Sequence, residues 1–392
     1  MDSHRQLKTR LLGASTLLAL GALVAAMLPG GAPRAIAETQ WPQVPADGEM
    51  GFVLTSFYPA VHQGKDDCPY GLSGTLRENF LDTVPPAERT RLLLKENEPE
   101  LTSLWKATAI GPNLTNICTN AELFDRSREK LVKGPVAFGL DMDGGAAGGS
   151  TCTHDEFVAD DGTPGIDNQA YRALGCSRNW RGVDGMAGDI KGFNNFLATG
   201  EHTMVIRLRG VDSLQDDAEV EVLMASTDDR PVLDSKRNFI TGTSFTVSQP
   251  QWRNVTKGMI RDGVLTTLPL DMKLNRRLGH GGVRGQASQY DLRQARLRLT
   301  FQPDGSVKGL LGAYVPPRNL IESTLVGGVG AATVAGIDCA SEYHTLARLA
   351  DGVKDPLTGK CTAVSAAYDV AAVSAFVNDL PAADSTAIAS RP

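Results

Sequence analysis

The middle of the chain alternates apolar and polar residues in the way that is typical of β-strands. In residues 218–224 (AEVEVLM), Val220, Val222 and Met224 fall on one face and two glutamates fall on the other. A period of two places successive side chains on opposite faces of a sheet. The same kind of pattern predicts further strands at residues 203–211, 239–247, 259–274 and 293–301.

A turn signal joins the last of these segments to another strand. The sequence Pro-Asp-Gly at residues 303–305 separates residues 296–301 from residues 307–315, and these residue types favour a hairpin turn. Several strands joined by short turns favour an antiparallel β-sandwich of the jelly-roll or lectin-like type. We therefore predict a mainly β fold, with the sandwich in residues 133–317 and its first strand at residues 133–142.

The regions on either side of this predicted sandwich have helical patterns. In the N-terminal region, residues 38–132, Thr75 and Glu78 have the spacing of a capping box, which marks the start of a helix. The C-terminal region, residues 318–392, is predicted to form a pair of helices and a tail. The other predicted helices start at Pro85-Pro86 or cover residues 98–109, 186–197, 339–349 and 363–377.

The first 37 residues have the three parts of a secretory signal peptide. Basic residues precede an apolar stretch at residues 11–28, and small residues at 35–37 (AIA) form a cleavage motif. An uncleaved membrane anchor is the alternative, because this stretch is just long enough to span a bilayer. The helix-breaking sequence Pro-Gly-Gly at residues 29–31 favours cleavage after Ala37. We therefore predict a signal peptide at residues 1–37, a periplasmic or secreted location, and no membrane span in the mature chain.

The cysteines agree with export. All six follow the predicted cleavage site, and an oxidising compartment pairs an even set of cysteines. Metal thiolates and haem attachment are disfavoured because neither C-x-x-C nor C-x-x-C-H occurs. The cysteines fall as three couples along the sequence, and we predict the disulfides Cys68–Cys118, Cys152–Cys176 and Cys339–Cys361.

Charge and motifs narrow the function classes. The chain is acidic, with a formal net charge of -6 and no basic run, which argues against nucleic acid because phosphate contacts need clustered Lys and Arg. The G-x-S-x-G motif of Ser hydrolases is absent, and paired cysteines leave no thiol nucleophile. Binding is therefore favoured over catalysis, although a glycosidase-like carboxylate pair has no linear signature.

The most distinctive chemistry lies in an Asp-rich disulfide loop at residues 143–185. Asp141 and Asp143 begin it like a calcium loop, in which alternating carboxylates face one hard cation. The EF-hand pattern is not completed, because Ala146 and Cys152 stand where Gly and Glu are needed. Solvated Asp-Gly turns are the alternative interpretation. We predict a structural calcium ion with the ligands Asp141, Asp143, Asp155 and Asp167.

The histidines carry a weaker signal. His154 lies beside Asp155, which invites an acid–base or zinc role, but no H-x-x-x-H or H-E-x-x-H pair accompanies it. A surface or structural role is therefore favoured for each histidine of the mature chain.

Four short segments of the chain occur in an order that is similar to a group of known sequences. They are Asp-Cys-Pro around Cys68, FGLDMDG at residues 138–144, DGTPGIDNQ at residues 161–169, and Gly-Cys at residues 175–176. This order resembles uncharacterised exported proteins of proteobacteria. The resemblance implies export and a shared architecture, and it implies no activity.

Together these patterns predict an exported β-sandwich protein that binds a ligand. The expected partner is a small molecule, a glycan or a cell-envelope protein, with calcium stabilising the Asp-rich loop. The alternative hypothesis is a secreted hydrolase or lyase that acts on a glycan through carboxylates of that loop or through His154.

Overall fold

The computed structural model is dominated by antiparallel strands, several of which alternate between buried and exposed residues. The structure describes residues 42–144, 152, 155–181, 188–278, 286–322 and 328–380. The strands are β1 (Met50–Pro59), β2 (Phe157–Val158), β3 (Pro164–Ile166), β4 (Met204–Arg209), β5 (Asp217–Ser226), β6 (Ser244–Val247), β7 (Arg253–Arg261), β8 (Val264–Thr267), β9 (Leu270–Leu278), β10 (Gln286–Phe301), β11 (Val307–Val315), β12 (Gly352–Lys354) and β13 (Cys361–Asp379).

Within the described residues, one sheet holds 11 of these strands, while β2 and β3 form a separate pair. Neighbouring strands follow the order β1-β4-β5-β7-β8-β10-β11-β13-β12, with β6 added to β13 and β9 added to β10. Because β1 also pairs with β13, the path of strand pairings returns to its first strand. The prediction of a mainly β fold is confirmed, with one large sheet that is mostly antiparallel, and the finer prediction of a sandwich or jelly roll is not confirmed by these pairings.

The strands predicted at residues 203–211, 218–224 and 293–301 are confirmed, and they contribute to the core. Residues 239–247 form a strand only from Ser244, and residues 259–274 are divided between the end of β7, all of β8 and the start of β9. Met204, Ile206 and Leu208 of β4 are at most 1% exposed and belong to the main apolar cluster. Val205, between them, lies in a second cluster with Phe245 of β6. Strand β4 is therefore buried on both faces. Each such large apolar side chain stabilises the fold by about 1.5–3 kcal/mol.

Short helices cover part of this sheet. Thr75 caps the first of them, accepting a hydrogen bond from the Glu78 amide while the Glu78 carboxylate accepts one from the Thr75 amide, so the predicted capping box is confirmed. The α-helices are α1 (Leu76–Leu81), α2 (Pro86–Leu92), α3 (Glu98–Ala107), α4 (Gln169–Leu174), α5 (Gly188–Thr199), α6 (Pro317–Leu320), α7 (Gly328–Thr333) and α8 (Cys339–Arg348), and short 3-10 helices lie at Lys95–Asn97, Pro112–Leu114, Ala121–Leu123 and Pro250–Trp252.

The predicted second helix of the C-terminal pair is wrong. Residues 363–377 are rich in alanine, which has the highest helix propensity, yet they belong to strand β13. The backbone of β13 pairs with β1 along one edge and with β11 along the other. Its partner β1 lies in the N-terminal region that the sequence pattern describes as irregular or helical. Pairing between distant segments therefore overrides local propensity here.

The predicted strand at residues 133–142 is also not formed. This segment makes two isolated bridges, one between Val136 and Val158 and one between Leu140 and Asp167. It runs instead alongside the β2–β3 hairpin, where these bridges hold it. The segment thus belongs to the Asp-rich region rather than to the main sheet.

All six cysteines are paired, as expected for an oxidising compartment, but each predicted partner is wrong. The disulfides are Cys68–Cys176, Cys118–Cys339 and Cys152–Cys361, which join residues 108, 221 and 209 positions apart. Cysteines that are close in sequence are not the ones that pair, because each bridge joins distant segments that the fold brings together. Three disulfides indicate an extracytoplasmic location, since cytosolic thiols stay reduced.

The remaining predictions concern membrane spans, the signal peptide and His154. Across the ranges that the structure covers, helices long and apolar enough to span a membrane are absent. The predicted signal peptide at residues 1–37 and the residue His154 lie outside the described residues.

Candidate cation site in the Asp-rich loop

Three of the four predicted calcium ligands come together in the structure. Carboxylate oxygens of Asp141, Asp143 and Asp167 lie within 4.8 Å of one another. Asp141 is exposed, Asp143 is half-buried, and Asp167 is only 6% exposed. The cluster therefore spans the boundary between solvent and the protein interior.

Backbone hydrogen bonds hold these side chains in place. The Asp167 amide donates to the Leu140 carbonyl at 3.0 Å, and the Met142 amide donates to Asp167 Oδ2 at 2.7 Å. The Gly144 amide donates to Asp141 Oδ1 at 2.7 Å. This tight turn needs the positive φ of 84° at Gly144, which glycine adopts without strain. The aspartates are thus positioned by the chain segments on which they lie.

Two more carboxylates lie beside a cavity that adjoins this cluster. Glu156 and Asp351 line a small cavity together with Asp143, Asp167 and Tyr314. The cavity volume open to the centre of a water molecule is about 10 Å³, which suits a single ion or water molecule. A sugar ring is much larger than this space.

A disulfide fastens the two walls of the cavity. Cys152 lines the cavity and is bonded to Cys361, the first residue of β13. Cys361 pairs with Lys354 of β12, and Asp351 directly precedes that strand. The bridge therefore joins the Asp-rich loop to the β12–β13 hairpin that carries Asp351.

Burial and mutual repulsion act on these carboxyl groups. Burial raises the pKa of Asp167 to about 7, and the neighbouring charges of Asp143 and Asp351 add to this, against a hydrogen bond from the Met142 amide. Burial likewise raises the pKa of Asp351 to about 6, although Ser365 donates to it. A cation bound between these groups would oppose both effects, because an opposite charge favours the ionised form.

The pKa of Glu156 is also raised. Burial is the largest cause, and the charges of Asp143 and Asp141 contribute in the same direction. The cationic side chain of Arg296 lies beside the cluster, since its Nη1 donates to the backbone carbonyl of Asp141 at 2.9 Å. This guanidinium offsets part of the negative charge at the exposed end.

The fourth predicted ligand, Asp155, is placed differently. It is exposed, and its backbone carbonyl accepts hydrogen bonds from Gln169 Nε2 at 2.9 Å and Arg172 Nη2 at 2.7 Å. It is not part of the group of three aspartates, and its neighbour Glu156 lines the cavity instead.

Sequence reasoning missed several residues of this site, among them Glu156, Tyr314 and Asp351. Asp351 lies far along the chain in a region predicted to be helical, and Tyr314 lies in strand β11. The one signal that points to Asp351 is the bridge between Cys152 and Cys361, which brings the two regions together. Predicting that pairing would have required the sheet topology.

The donor set defines what the site can bind. Among the described residues, its charged side chains are all carboxylates, which suit hard cations, whereas imidazole and thiolate ligands suit zinc and copper. Comparison with protein-family models, with curated proteins and with solved structures found no match for this chain.

Proposed function

We propose that this protein is an exported, sandwich-like β protein that binds a ligand outside the cytoplasm, with calcium stabilising its Asp-rich loop. The observation that carries the proposal is the convergence of Asp141, Asp143 and Asp167 beside a cavity of the size of one ion. The disulfides and the resemblance to exported proteobacterial proteins support export.

Calcium is the hard cation that fits best. It takes six to eight oxygen ligands in flexible geometry at about 2.3–2.6 Å, whereas magnesium demands a near-ideal octahedron. Bidentate binding by Asp141, Asp143 and Asp167, with Asp351 and Glu156 nearby, can supply this many oxygens. Hydrogen bonds from backbone amides orient Asp167 and Asp351 before the ion arrives.

Bound calcium would favour ligand binding by ordering the Asp-rich loop. Its position between the Asp-rich loop and the β12–β13 hairpin fixes two surface segments relative to each other. We propose that this surface receives a small molecule, a glycan or a cell-envelope protein. Leu357, on the β12–β13 turn, is 94% exposed and offers an apolar contact for such a partner.

The alternative, a hydrolase or lyase acting on a glycan, rests on the raised pKa of Asp167. A carboxyl group with a pKa of about 7 suits general acid catalysis near neutral pH. The cavity beside it is too small for a sugar ring, so the binding proposal is the stronger one. Bound calcium would keep Asp167 ionised, and an ionised carboxylate has no proton to donate as a general acid.

Denaturation with urea, in chelator and in calcium, tests the proposal. Calcium at 100 times its dissociation constant is expected to add about 2.7 kcal/mol to the free energy of unfolding, because only the native state binds it. Asp143→Asn and Asp167→Asn should lose this gain. Asp155→Asn is the matched control and should retain it, since Asp155 contacts Gln169 and Arg172 through its backbone carbonyl, which the substitution keeps.

Equal stability of the native chain in chelator and in millimolar calcium would overturn the calcium site. A gain that persists in both Asp143→Asn and Asp167→Asn would place the ion elsewhere. Binding of glycans or envelope extracts by the calcium-loaded protein, compared with the chelated protein, then tests the proposed role of the loop.

A further inference from the structure

A second group of titratable side chains lies away from the cavity, around His62. His62 Nδ1 lies 3.1 Å from Asp67 Oδ2, and the His62 ring is about one-fifth exposed while the Asp67 side chain is 3% exposed. Asp67 Oδ2 also accepts hydrogen bonds from the Gly64 amide at 2.6 Å, the Tyr171 hydroxyl at 2.8 Å and Arg181 Nη2 at 2.9 Å. The carboxylate is therefore held firmly behind the imidazole.

This arrangement fixes the tautomer of the imidazole. A carboxylate that pairs with Arg181 is an acceptor, so His62 Nδ1 carries the proton of the hydrogen bond to Asp67. In a neutral imidazole the other nitrogen, Nε2, then has the lone pair. A carboxylate behind a histidine is the usual support for a metal-binding imidazole, because it orients the ring and raises its basicity.

A second ligand faces this nitrogen. Asp160 lies on the turn between β2 and β3, and its Oδ1 is 3.6 Å from His62 Nε2. That separation exceeds the usual limit of about 3.2 Å for a hydrogen bond. It is close to the separation of about 3.0–3.5 Å between two ligand atoms that each lie about 2.0–2.2 Å from one metal ion.

The mobility of the two ligands differs in a useful way. His62 is fixed by Asp67 and by an edge-to-face contact with Phe138, whose ring centroid is 5.7 Å away. The Asp160 side chain is 61% exposed, so a shift of a few tenths of an ångström brings it into coordination distance. One ligand is preorganised and the other can adjust to the ion.

We propose that His62 Nε2 and Asp160 bind one divalent transition-metal ion of the zinc or copper type, with Asp67 as the positioning residue. Imidazole selects these ions over calcium and magnesium. Solvent completes the coordination, because His62 and Asp160 supply two ligands and zinc prefers four ligands in all. The site is independent of the carboxylate cluster proposed for calcium.

Copper binding followed by electron paramagnetic resonance tests this proposal on the whole mature protein. The sample contains 1 mM calcium to saturate the carboxylate cluster and one equivalent of Cu²⁺. The native protein should show nitrogen coupling from one imidazole, and zinc titration calorimetry should show one site. His62→Gln should remove that coupling and weaken Zn²⁺ binding by about 100-fold or more, because a ligand is lost.

Two aspartate variants complete the test. Asp160→Asn should weaken Zn²⁺ binding by at least about 10-fold, since loss of a direct ligand costs no less than loss of a group that only orients a ligand. Asp161→Asn is the matched control and should bind as the native chain does, because Asp161 accepts a hydrogen bond from the Thr163 amide within its own turn. Thermal melts of each variant verify that it is folded, and the exposed Asp160 variant remains informative if His62→Gln is unstable.

Three results would each overturn the proposal. The first is an unchanged imidazole signal in folded His62→Gln, and the second is equal Zn²⁺ affinity in Asp160→Asn and the native chain. The third is failure of the native protein to bind Zn²⁺ at 100-fold excess, which would leave a direct ion pair between His62 and Asp160.

Discussion

Asp67 and Asp167 are both almost fully buried, with 2% and 6% of each residue exposed, but their surroundings differ. Asp67 accepts hydrogen bonds from the Arg181 guanidinium and the Tyr171 hydroxyl, so a cation belonging to the chain compensates its charge. Asp167 faces the carboxyl groups of Asp143 and Asp351 instead.

Burial alone therefore does not make a cation site. A buried carboxylate that already has an arginine partner is part of the fold, and its removal leaves the arginine without an anion. A buried carboxylate surrounded by others destabilises the native state until a cation arrives. The two aspartates should respond to the same substitution with opposite signs.

The largest expected effect is at Asp67. Asp67→Asn should lower the free energy of unfolding by about 3–5 kcal/mol, because it leaves the guanidinium of Arg181, 13% exposed, without its anionic partner. Urea denaturation in chelator at pH 8 measures this. A loss below about 1 kcal/mol would show that the arginine finds another partner and would weaken the contrast.

The disulfides next to the two aspartates provide the second comparison. Replacing Cys152 and Cys361 by serine should cost about 2–4 kcal/mol and also reduce the stabilisation by calcium, because the two cavity walls are no longer joined. Replacing Cys68 and Cys176, beside Asp67, should cost a similar amount and leave the calcium effect intact. Chelator and calcium melts of both double variants check this, and equal calcium effects would contradict it.

A smaller effect of opposite sign is expected at Asp167. In chelator at pH 8, Asp167→Asn should raise the free energy of unfolding by about 1–3 kcal/mol, because it removes a buried charge whose pKa is raised to about 7. At pH 5 the native carboxyl is already protonated, so the gain should vanish. Destabilisation at both pH values would mean that the Asp167 charge is compensated in the calcium-free protein.

The charges of Asp167 and Asp351 give the native chain a pH dependence in chelator. Asp167 and Asp351 have folded pKa values of about 7 and about 6, above the ordinary value of 3.8. At pH values between 3.8 and the folded pKa, each group binds more protons in the native state than in the unfolded state. The contribution of the two groups to the free energy of unfolding is therefore full below about pH 4 and is lost as the pH rises through 7. Stability should fall from pH 5 to pH 8, relative to a variant with Asn at both positions, by at least roughly the 1–3 kcal/mol expected for Asp167 alone, because the contribution of Asp351 has the same sign.

Calcium should reverse this trend, since the ion requires ionised carboxylates. Its stabilisation should be larger at pH 8 than at pH 5.5, and denaturation at the two pH values checks this. An equal calcium effect at both pH values would show that Asp167 and Asp351 do not take part in binding.

The strands of the central region were predictable because their information is local. Strand β5 alternates buried and exposed residues over part of its length, and the Pro-Asp-Gly turn joins β10 to β11 as its residue types require. The α1 capping box is local for the same reason. In each case the interacting groups are a few positions apart, so the pattern and the structure agree.

The residues of the candidate cation site were likewise predictable only where the signal is local. The motif around Asp141 and Asp143, with Asp167 nearby in sequence, indicated an acidic site. Asp351 lines the cavity but has no acidic motif around it in the sequence. Asp155 belongs to the predicted ligand set, but the structure leaves it exposed and outside the cluster. Which carboxylates converge depends on how the β2–β3 hairpin and the β12–β13 hairpin pack, and spacing cannot show that.

By itself, the sequence determined that the protein is mainly β, that its cysteines pair, and that an Asp-rich segment is its most distinctive chemistry. Only the tertiary structure decided which cysteines pair, that the alanine-rich residues 363–377 form a strand, and that Asp351 joins the carboxylate cluster. The physical reason is that these features depend on hydrogen bonds and charges between segments far apart in sequence, whose energies exceed the local preferences of either segment.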